Sequence, residues 1–169
     1  MKLGRNSLGA AGRELARLVA TFFYLGCLPV APGTMGAVGG MLLYILIRFV
    51  DPDLFLPPLK FGYLLFMALF FLVGVAVSSR GEKIWKMKDP PFVVIDEAFS
   101  YFVTMFMLPY SAFALLAGLA LNRFFDIVKP PPADFAERLP GGWGVMLDDF
   151  VAGCYGNLCL RLILLLIRR

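Results

Sequence analysis

The feature that most constrains this chain is residues 61–79, an uncharged stretch made mainly of Leu, Phe, Met and Val. About 20 consecutive apolar residues in a helix are enough to cross the ~30 Å hydrocarbon core of a bilayer. The composition of the whole chain agrees, because 60% of its residues are hydrophobic and only 17% are charged. In soluble domains about a quarter of the residues are charged. The sequence therefore predicts an integral membrane protein.

Three further apolar segments are shorter or interrupted. Residues 36–50 predict a second helix, because the prolines and glycines of PVAPGTMG at 29–36 do not continue a helix. Residues 98–122 are uncharged but contain Pro109, and neither half is long enough to span the membrane. We expect these halves to form a hairpin that enters the bilayer and returns. Residues 150–167 predict a last helix.

The N-terminus and the connecting segments differ from these apolar stretches. Residues 1–20 combine Lys and Arg with Leu and Val at helical spacing, which predicts an amphipathic helix on the membrane surface. Residues 51–60 are typical of a proline-rich loop, and residues 80–97 form a charged connection. The expected fold class is therefore all-α. We predict one domain, residues 1–169, that forms a small polytopic helical bundle with broken or re-entrant helices.

The positive-inside rule gives this bundle an orientation. With the basic N-terminus in the cytoplasm, the cations of residues 80–97 also fall on the cytoplasmic side. Arg168 and Arg169 would then lie outside if residues 150–167 span the membrane, which counts against this topology. The net charge of +4 favours attraction to an anionic lipid surface, and we expect no nucleic-acid partner. The oligomeric state is left open.

The chain contains no histidine. This excludes Ser–His–Asp hydrolysis, phosphohistidine intermediates and His-ligated zinc. Any reactive groups must therefore be carboxylates, Lys, Arg, hydroxyls, thiols or backbone amides.

Two pairs of acidic residues lie directly between apolar runs. Asp96 and Glu97 stand between FVVI and AFSYF, and the other pair, Asp148 and Asp149, stands between GVML and FVAG. Adjacent carboxylates in such surroundings repel each other unless a cation lies between them, although solvated loop charges are the alternative. We predict that these four residues hold a hard cation such as Mg²⁺, which prefers oxygen ligands. Asp126 is a further candidate for the same catalytic group.

A second group of residues suits a phosphate. The glycines of the APGTMG sequence allow backbone N–H groups to face an anion at the start of a helix, so Gly33 and Thr34 are candidate phosphate contacts. A capped turn that enters a helix explains the same sequence equally well. Lys129 lies three residues after Asp126 and could pair with that carboxylate or hold a phosphate. Arg123 has the same two interpretations.

Four stretches of the chain, taken in order, resemble the phosphatidylglycerophosphatase A family: LPVAPGTMG at 28–36, KDPPFVVIDE at 88–97, RFFDIVKPPP at 123–132 and GGWGVMLDDFVAG at 141–153. The resemblance implies an integral-membrane, Mg²⁺-dependent phosphatase. Its expected location is the bacterial inner (cytoplasmic) membrane, with the active site facing the cytoplasm. The expected reaction removes the terminal phosphate of phosphatidylglycerophosphate in the bilayer and yields phosphatidylglycerol.

The chain departs from the family pattern at a few positions. Ser100 and Phe102 stand where members of the family usually carry a glycine and a tryptophan. Asn122 replaces an aromatic residue that usually precedes the RFFD-like segment. The carboxylates and Lys129 are all retained, so the resemblance still supports the activity.

The implied mechanism is metal-assisted hydrolysis of a phosphomonoester, with water as the nucleophile and one carboxylate as the base. Attack by a carboxylate to give an aspartyl-phosphate is the competing route. Two other classes of protein are alternatives. A CDP-alcohol phosphotransferase also uses Mg²⁺, but the chain lacks its D-G-x-x-A-R…G…D…D pattern. A small ion-coupled transporter would place its carboxylates in the middle of the membrane, whereas these stand at the ends of apolar segments.

Overall fold

The computed structural model describes residues 3–55 and 60–167, with side chains for residues 9–54 and 61–167. Within these residues the structure is all-helical, which confirms the predicted fold class. Its α-helices are α1 (Leu3–Ala20), α2 (Pro32–Val50), α3 (Lys60–Trp85), α4 (Ile95–Thr104), α5 (Ala112–Val128), α6 (Ala133–Ala136) and α7 (Gly142–Ile167). Short 3₁₀ turns, Leu25–Cys27 and Pro52–Phe55, follow α1 and α2. The predictions made for residues 1–2, for residues 56–59 and for Arg168 and Arg169 lie outside the described part of the chain.

Helices α2, α3 and α7 are long and apolar enough to cross a membrane. Large apolar side chains on each of them are exposed on the outside of the bundle, including Phe49, Leu65 and Leu162. Extended apolar surface of this kind is typical of proteins that contact lipid. The structure therefore supports the predicted polytopic membrane bundle.

Several predicted helix boundaries need correction because proline and charged residues were taken as helix ends. The segment predicted as 98–122 begins earlier, with α4 at Ile95, and ends later, with α5 at Val128. Helix α2 begins at Pro32, four residues before the predicted start at residue 36, with Pro32 in its first turn. Proline suits the first helical position, where the N–H has no intrahelical acceptor. Helix α3 continues beyond the predicted end at residue 79 as far as Trp85. Its last residues are polar and charged, but Arg, Glu and Lys are good helix formers.

The start of α7 is the largest correction. This helix begins at Gly142, well before the predicted start at residue 150, so the GGWG sequence is largely helical and not a loop. A Cβ atom at Gly142 would collide with the backbone carbonyl of Val75 on α3. The glycine therefore allows two membrane helices to approach closely, which is its usual role in such helices.

The predicted break in residues 98–122 is present, but the non-helical segment is longer than Pro109 alone. Helix α4 ends at Thr104, and α5 begins only at Ala112 after Ser111, whose side chain accepts a hydrogen bond from the Ala114 N–H at 3.1 Å. The start of α4 and the end of α5 lie at the same end of the bundle, because Arg123 on α5 approaches Glu97 on α4. Entry of this hairpin into the bilayer stays a prediction.

Helix α4 forms the centre of the bundle, where it packs against α2, α3, α5 and α7. Every residue of α4 except Glu97 is buried. Aromatic side chains fill the contact with α3, where the Phe70 ring lies 5.6 Å from both the Phe99 and the Phe102 rings. The Tyr63 hydroxyl also donates a hydrogen bond to the Phe102 carbonyl at 2.8 Å. This packing holds the N-terminal turn of α4, with its two acidic residues, against its neighbours.

Candidate active site

The four stretches singled out in the sequence meet at one end of the bundle around a cavity of about 260 Å³. The walls of this cavity come from the first turn of α2, the segment before α4, the first turn of α4, the end of α5 and the first half of α7. Eight of the nine predicted site residues line it: Gly33, Asp96, Glu97, Arg123, Asp126, Lys129, Asp148 and Asp149. The ninth, Thr34, lies in the first turn of α2 but is not part of the lining.

Three carboxylates form the most compact group in this cavity. One oxygen from each of Asp96, Glu97 and Asp149 lies within 4.8 Å of the other two. Asp96 and Asp149 are buried, and each of the three residues has a buried oxygen without a hydrogen-bond partner in the described structure. Leaving such an oxygen unsatisfied costs free energy. The group therefore has the donor atoms and the unmet coordination that suit a hard divalent cation.

The same burial affects the titration of the two acidic residues of α4. Burial raises the pKa of Asp96 well above its usual range, and the neighbouring charge of Glu97 raises it further. Burial also raises the pKa of Glu97, against the opposing effects of its hydrogen bond to Asp96 and the nearby Arg123 charge. Both carboxyls therefore hold protons more readily than they would in water, and a bound cation would favour their ionised forms.

The Asp148 side chain points in a different direction from α7 than the side chain of its neighbour Asp149. Its Oδ2 atom lies 2.7 Å from Lys129 Nζ, and it is not part of the three-carboxylate group. Lys129 also lies 3.3 Å from Glu137 Oε2, so its partners are these two carboxylates and not Asp126. Burial lowers the pKa of Lys129, but the hydrogen bond and charge of Asp148 outweigh this effect, and the net pKa lies above its usual value. Lys129 is therefore a fixed cation at the edge of the cavity.

Arg123 supplies a second cation at the cavity. Its Nη1 atom lies 2.6 Å from Asp126 Oδ2 on the same helix and 3.9 Å from Glu97 Oε1. The first turn of α2 packs directly over this pair. A Cβ atom at Gly33 would lie 2.8 Å from Arg123 Nη2 and would collide with Glu97 Oε1. A larger residue at position 33 would therefore displace these two side chains, and glycine leaves them in place beside the start of α2, whose free backbone N–H groups attract anions.

Sequence reasoning missed two acidic residues at this site. Asp89 lines the cavity, and Glu137 is a partner of Lys129. Asp89 begins the DPP turn within one of the four motif stretches, so its position next to a proline turn was an available signal. Glu137 lies at the end of the short helix α6, outside any motif, and nothing in the sequence marked it.

Comparison with known proteins identifies the family of the chain. Residues 18–164 match the family model described as phosphatidylglycerophosphatase A, so the match covers all the cavity-lining residues. The chain belongs to the phosphatidylglycerophosphatase A family. It is thus a member of a family of phosphatases, and the resemblance seen in its motifs is confirmed over most of its length.

Three curated relatives illustrate the range of this phosphatidylglycerophosphatase A family. A Haemophilus influenzae protein named phosphatidylglycerophosphatase A is 35% identical over 82% of this chain and 82% of its own length. An Escherichia coli protein of the same name is 31% identical over 80% of this chain and 76% of its own. A Bacteroides thetaiotaomicron protein, provisionally named a phosphatidylinositol-3-phosphatase, is 34% identical over 82% of this chain and 86% of its own. No solved structure matches the chain.

Proposed function

We propose that this protein is a Mg²⁺-dependent phosphatase that removes the terminal phosphomonoester of phosphatidylglycerophosphate to give phosphatidylglycerol. The observation that carries the proposal is the group of three buried carboxylates, Asp96, Glu97 and Asp149, whose unpartnered oxygens lie close together. Two fixed cations, Arg123 and Lys129, line the same cavity. A phosphomonoester dianion needs both a divalent cation and fixed positive groups to neutralise its charge.

In this proposal Asp96, Glu97 and Asp149 would hold Mg²⁺, whereas Asp148, which the sequence also predicts as a ligand, holds Lys129 in place. When bound there, Mg²⁺ would neutralise charge on phosphate oxygens and would make a nearby water more acidic. The donor set fits, because it consists of carboxylate oxygens only, and the described residues at the cavity include no thiol.

The chain's own groups then bind and orient the substrate phosphate. Lys129 and Arg123, which both line the cavity, would hold phosphate oxygens, and the backbone N–H groups at Gly33 and Thr34 in the first turn of α2 would bind another. Water attacks phosphorus, a carboxylate of the cavity accepts the proton, and the P–O bond to the glycerol oxygen breaks. The glycerol oxygen leaves with the proton that this carboxylate took from the water, so the products are the lipid alcohol and inorganic phosphate.

The position of the cavity suits a lipid substrate. It lies at one end of apolar helices that are long enough to cross a membrane. We expect lipid headgroups at the ends of such helices. The basic residues Arg80, Lys83, Lys86 and Lys88 follow the apolar part of α3 toward the same end. By the positive-inside rule we expect this end to face the cytoplasm, and the proposed location is the bacterial inner membrane.

The name of one relative favours a second candidate substrate, an inositol phospholipid. The Bacteroides thetaiotaomicron protein carries a phosphatidylinositol-3-phosphatase name, and a phosphomonoester on inositol presents the same terminal dianion. The family match and the other two relatives favour the glycerophosphate substrate.

The test is phosphate release by the purified protein in detergent from phosphatidylglycerophosphate and, separately, from phosphatidylinositol 3-phosphate. We expect faster release from phosphatidylglycerophosphate with Mg²⁺ and background release with EDTA. The Asp96→Asn variant, which keeps the size of the side chain, is the matched control for contaminating phosphatases. Release that is equal in the variant, or unaffected by EDTA, would contradict the proposal. Faster release from the inositol lipid would reassign the substrate.

A further inference from the structure

We propose that a second site, a basic cleft between α1 and the end of α3, binds the headgroup phosphate of an anionic phospholipid from the surrounding membrane. The basic cleft is defined by the cations Arg13, Arg17, Arg80, Lys83 and Lys86. It encloses about 640 Å³ and shares no lining residue with the carboxylate cavity.

The shape of the basic cleft comes from small residues on α1. Gly9, Gly12 and Ala16 lie on the face of α1 that lines the cleft, at helical spacing. No described atom lies within 4 Å of the position that a Cβ would take at Gly9 or Gly12. These glycines therefore open onto free space and do not serve close packing, so the cleft has room for a bound group.

The cations of the cleft have few anionic partners. In the described structure, only Arg17 among them pairs with a carboxylate, that of Glu14, and its buried Nε atom has no hydrogen-bond partner. Glu82 on the same turns of α3 faces away, because its Oε1 atom accepts a hydrogen bond from the Asp89 N–H at 3.3 Å. The end of α3 thus directs its cations into the cleft and its carboxylate toward the other cavity. Such a site is complementary to an anion.

The position of the cleft identifies the anion as a lipid headgroup. Helix α3 is long and apolar enough to span the membrane, and Arg80 and Lys83 follow its apolar part, where headgroup phosphates lie. Leu15, on another face of α1, is largely exposed, which suits a helix that contacts acyl chains. Lys86 is only three residues before Asp89 of the carboxylate cavity. Anionic lipid held here would therefore be concentrated beside the proposed catalytic site.

The test is native mass spectrometry of the full chain in detergent with EDTA and equal amounts of phosphatidylglycerol and phosphatidylcholine of the same acyl chains. We expect the wild-type protein to retain phosphatidylglycerol in preference. The Arg80→Gln/Lys83→Gln variant should lower the ratio of bound phosphatidylglycerol to bound phosphatidylcholine by about 25-fold, since each of the two cations near a membrane surface contributes about fivefold. Because no divalent cation is present, the result does not depend on the proposed reaction.

The matched control is Arg48→Gln/Arg138→Gln, which removes the same charge from positions outside the cleft. An equal loss of phosphatidylglycerol in this control, or no preference in the wild-type protein, would overturn the proposal. Inorganic phosphate at millimolar concentration should leave the bound lipid in place. If it displaces the lipid completely, the cleft is a site for free phosphate, and the lipid assignment is wrong.

Discussion

Asp148 and Asp149 are neighbours in sequence but take different partners. Successive residues of an α-helix point about 100° apart. Asp149 therefore faces Asp96 and Glu97, whereas Asp148 Oδ2 lies 2.7 Å from Lys129 Nζ. The two carboxylates are consequently not equivalent, although the sequence alone suggests two similar metal ligands.

This difference predicts different kinetic defects in two matched variants. Asp149→Asn should lower turnover by at least about 100-fold and raise the Mg²⁺ concentration needed, because it removes a charge from the proposed metal group. Asp148→Asn should mainly raise KM, because it removes the partner that holds Lys129 in place. The measurement is kcat and KM across a Mg²⁺ titration. Equal Mg²⁺ dependence in the two variants would show that both residues are ligands, as the sequence suggests.

The acidic residues of the site could be predicted, but their pairing could not. Asp96 and Asp149 stand out because carboxylates directly between apolar runs are costly without a partner. The pairing depends on how α7 is rotated against its neighbours, which the sequence does not specify. It also depends on Glu137, which comes from a segment without a motif and competes for Lys129.

At the scale of whole elements, a buried polar network joins α4, α5 and α7 beside the carboxylates. The Asn122 amide donates hydrogen bonds to Ser100 Oγ at 2.6 Å and to Thr104 Oγ1 at 3.2 Å. Ser100 Oγ in turn donates to the Asp149 carbonyl at 2.6 Å. Ser100 and Asn122 are two of the positions at which the chain departs from the family pattern. The structure shows that these departures contact each other, so they form one linked change.

This linkage predicts a non-additive effect on stability. Ser100→Ala should lower the free energy of unfolding by about 1–3 kcal/mol, because it leaves a buried N–H of Asn122 without an acceptor. The Ser100→Ala/Asn122→Leu double variant should be less destabilised than Ser100→Ala alone, since the unsatisfied amide is then gone. Denaturant unfolding in detergent measures both values. Destabilisation by the double variant equal to the sum of the single effects would contradict the linkage.

The helices themselves were predictable from their apolar runs, but two of their starts were not. Glycine and proline are ambiguous in a membrane chain, because they serve both as turn residues and as sites of close approach or helix initiation. Pro32 initiates α2, and Gly142 lets α7 pack against the Val75 carbonyl. Only the three-dimensional packing distinguishes these roles from a loop.

At the scale of the whole molecule, the order of the helices brings four separated stretches to one end. Helix α2 starts at the cavity and leads away from it, α3 returns toward it, and α7 starts there again. The sequence predicted this convergence from the requirement that the acidic clusters share a membrane face. Which face this is stays a proposal that labelling can test.

The orientation predicts how two single-cysteine variants react with a labelling reagent. Each variant carries one introduced cysteine in a chain whose Cys27, Cys154 and Cys159 are replaced by Ala. Asp53→Cys, in the turn after α2, should react with a membrane-impermeant maleimide in intact cells. Arg138→Cys, exposed near the cavity end of the bundle, should react only after the membrane is permeabilised. Mass shift on a gel reports both reactions. The reverse pattern would place the cavity outside, and reaction of both cysteines in intact cells would contradict the predicted topology.

Metal binding should also be visible in the stability of the whole protein. Burial raises the pKa of Asp96 and of Glu97, so the folded protein keeps protons at pH values where the unfolded chain has lost them. Without a divalent cation, the contribution of these two carboxyls to the free energy of unfolding should therefore be largest at low pH. It should fall as the pH rises above the ordinary carboxyl pKa of about 4, until the folded carboxyls ionise.

Mg²⁺ should oppose this fall because it binds the ionised carboxylates and competes with protons. At a concentration 100 times its Kd it should raise the free energy of unfolding by about 2.7 kcal/mol, with a larger effect at pH 8 than at pH 6. The measurement is thermal unfolding in detergent at both pH values, with Mg²⁺ or with EDTA. Asp96→Asn, which removes one titrating ligand, should reduce both the pH dependence in EDTA and the response to Mg²⁺. An unfolding temperature that does not respond to Mg²⁺ at pH 8 in the wild-type protein would show that the carboxylates are structural.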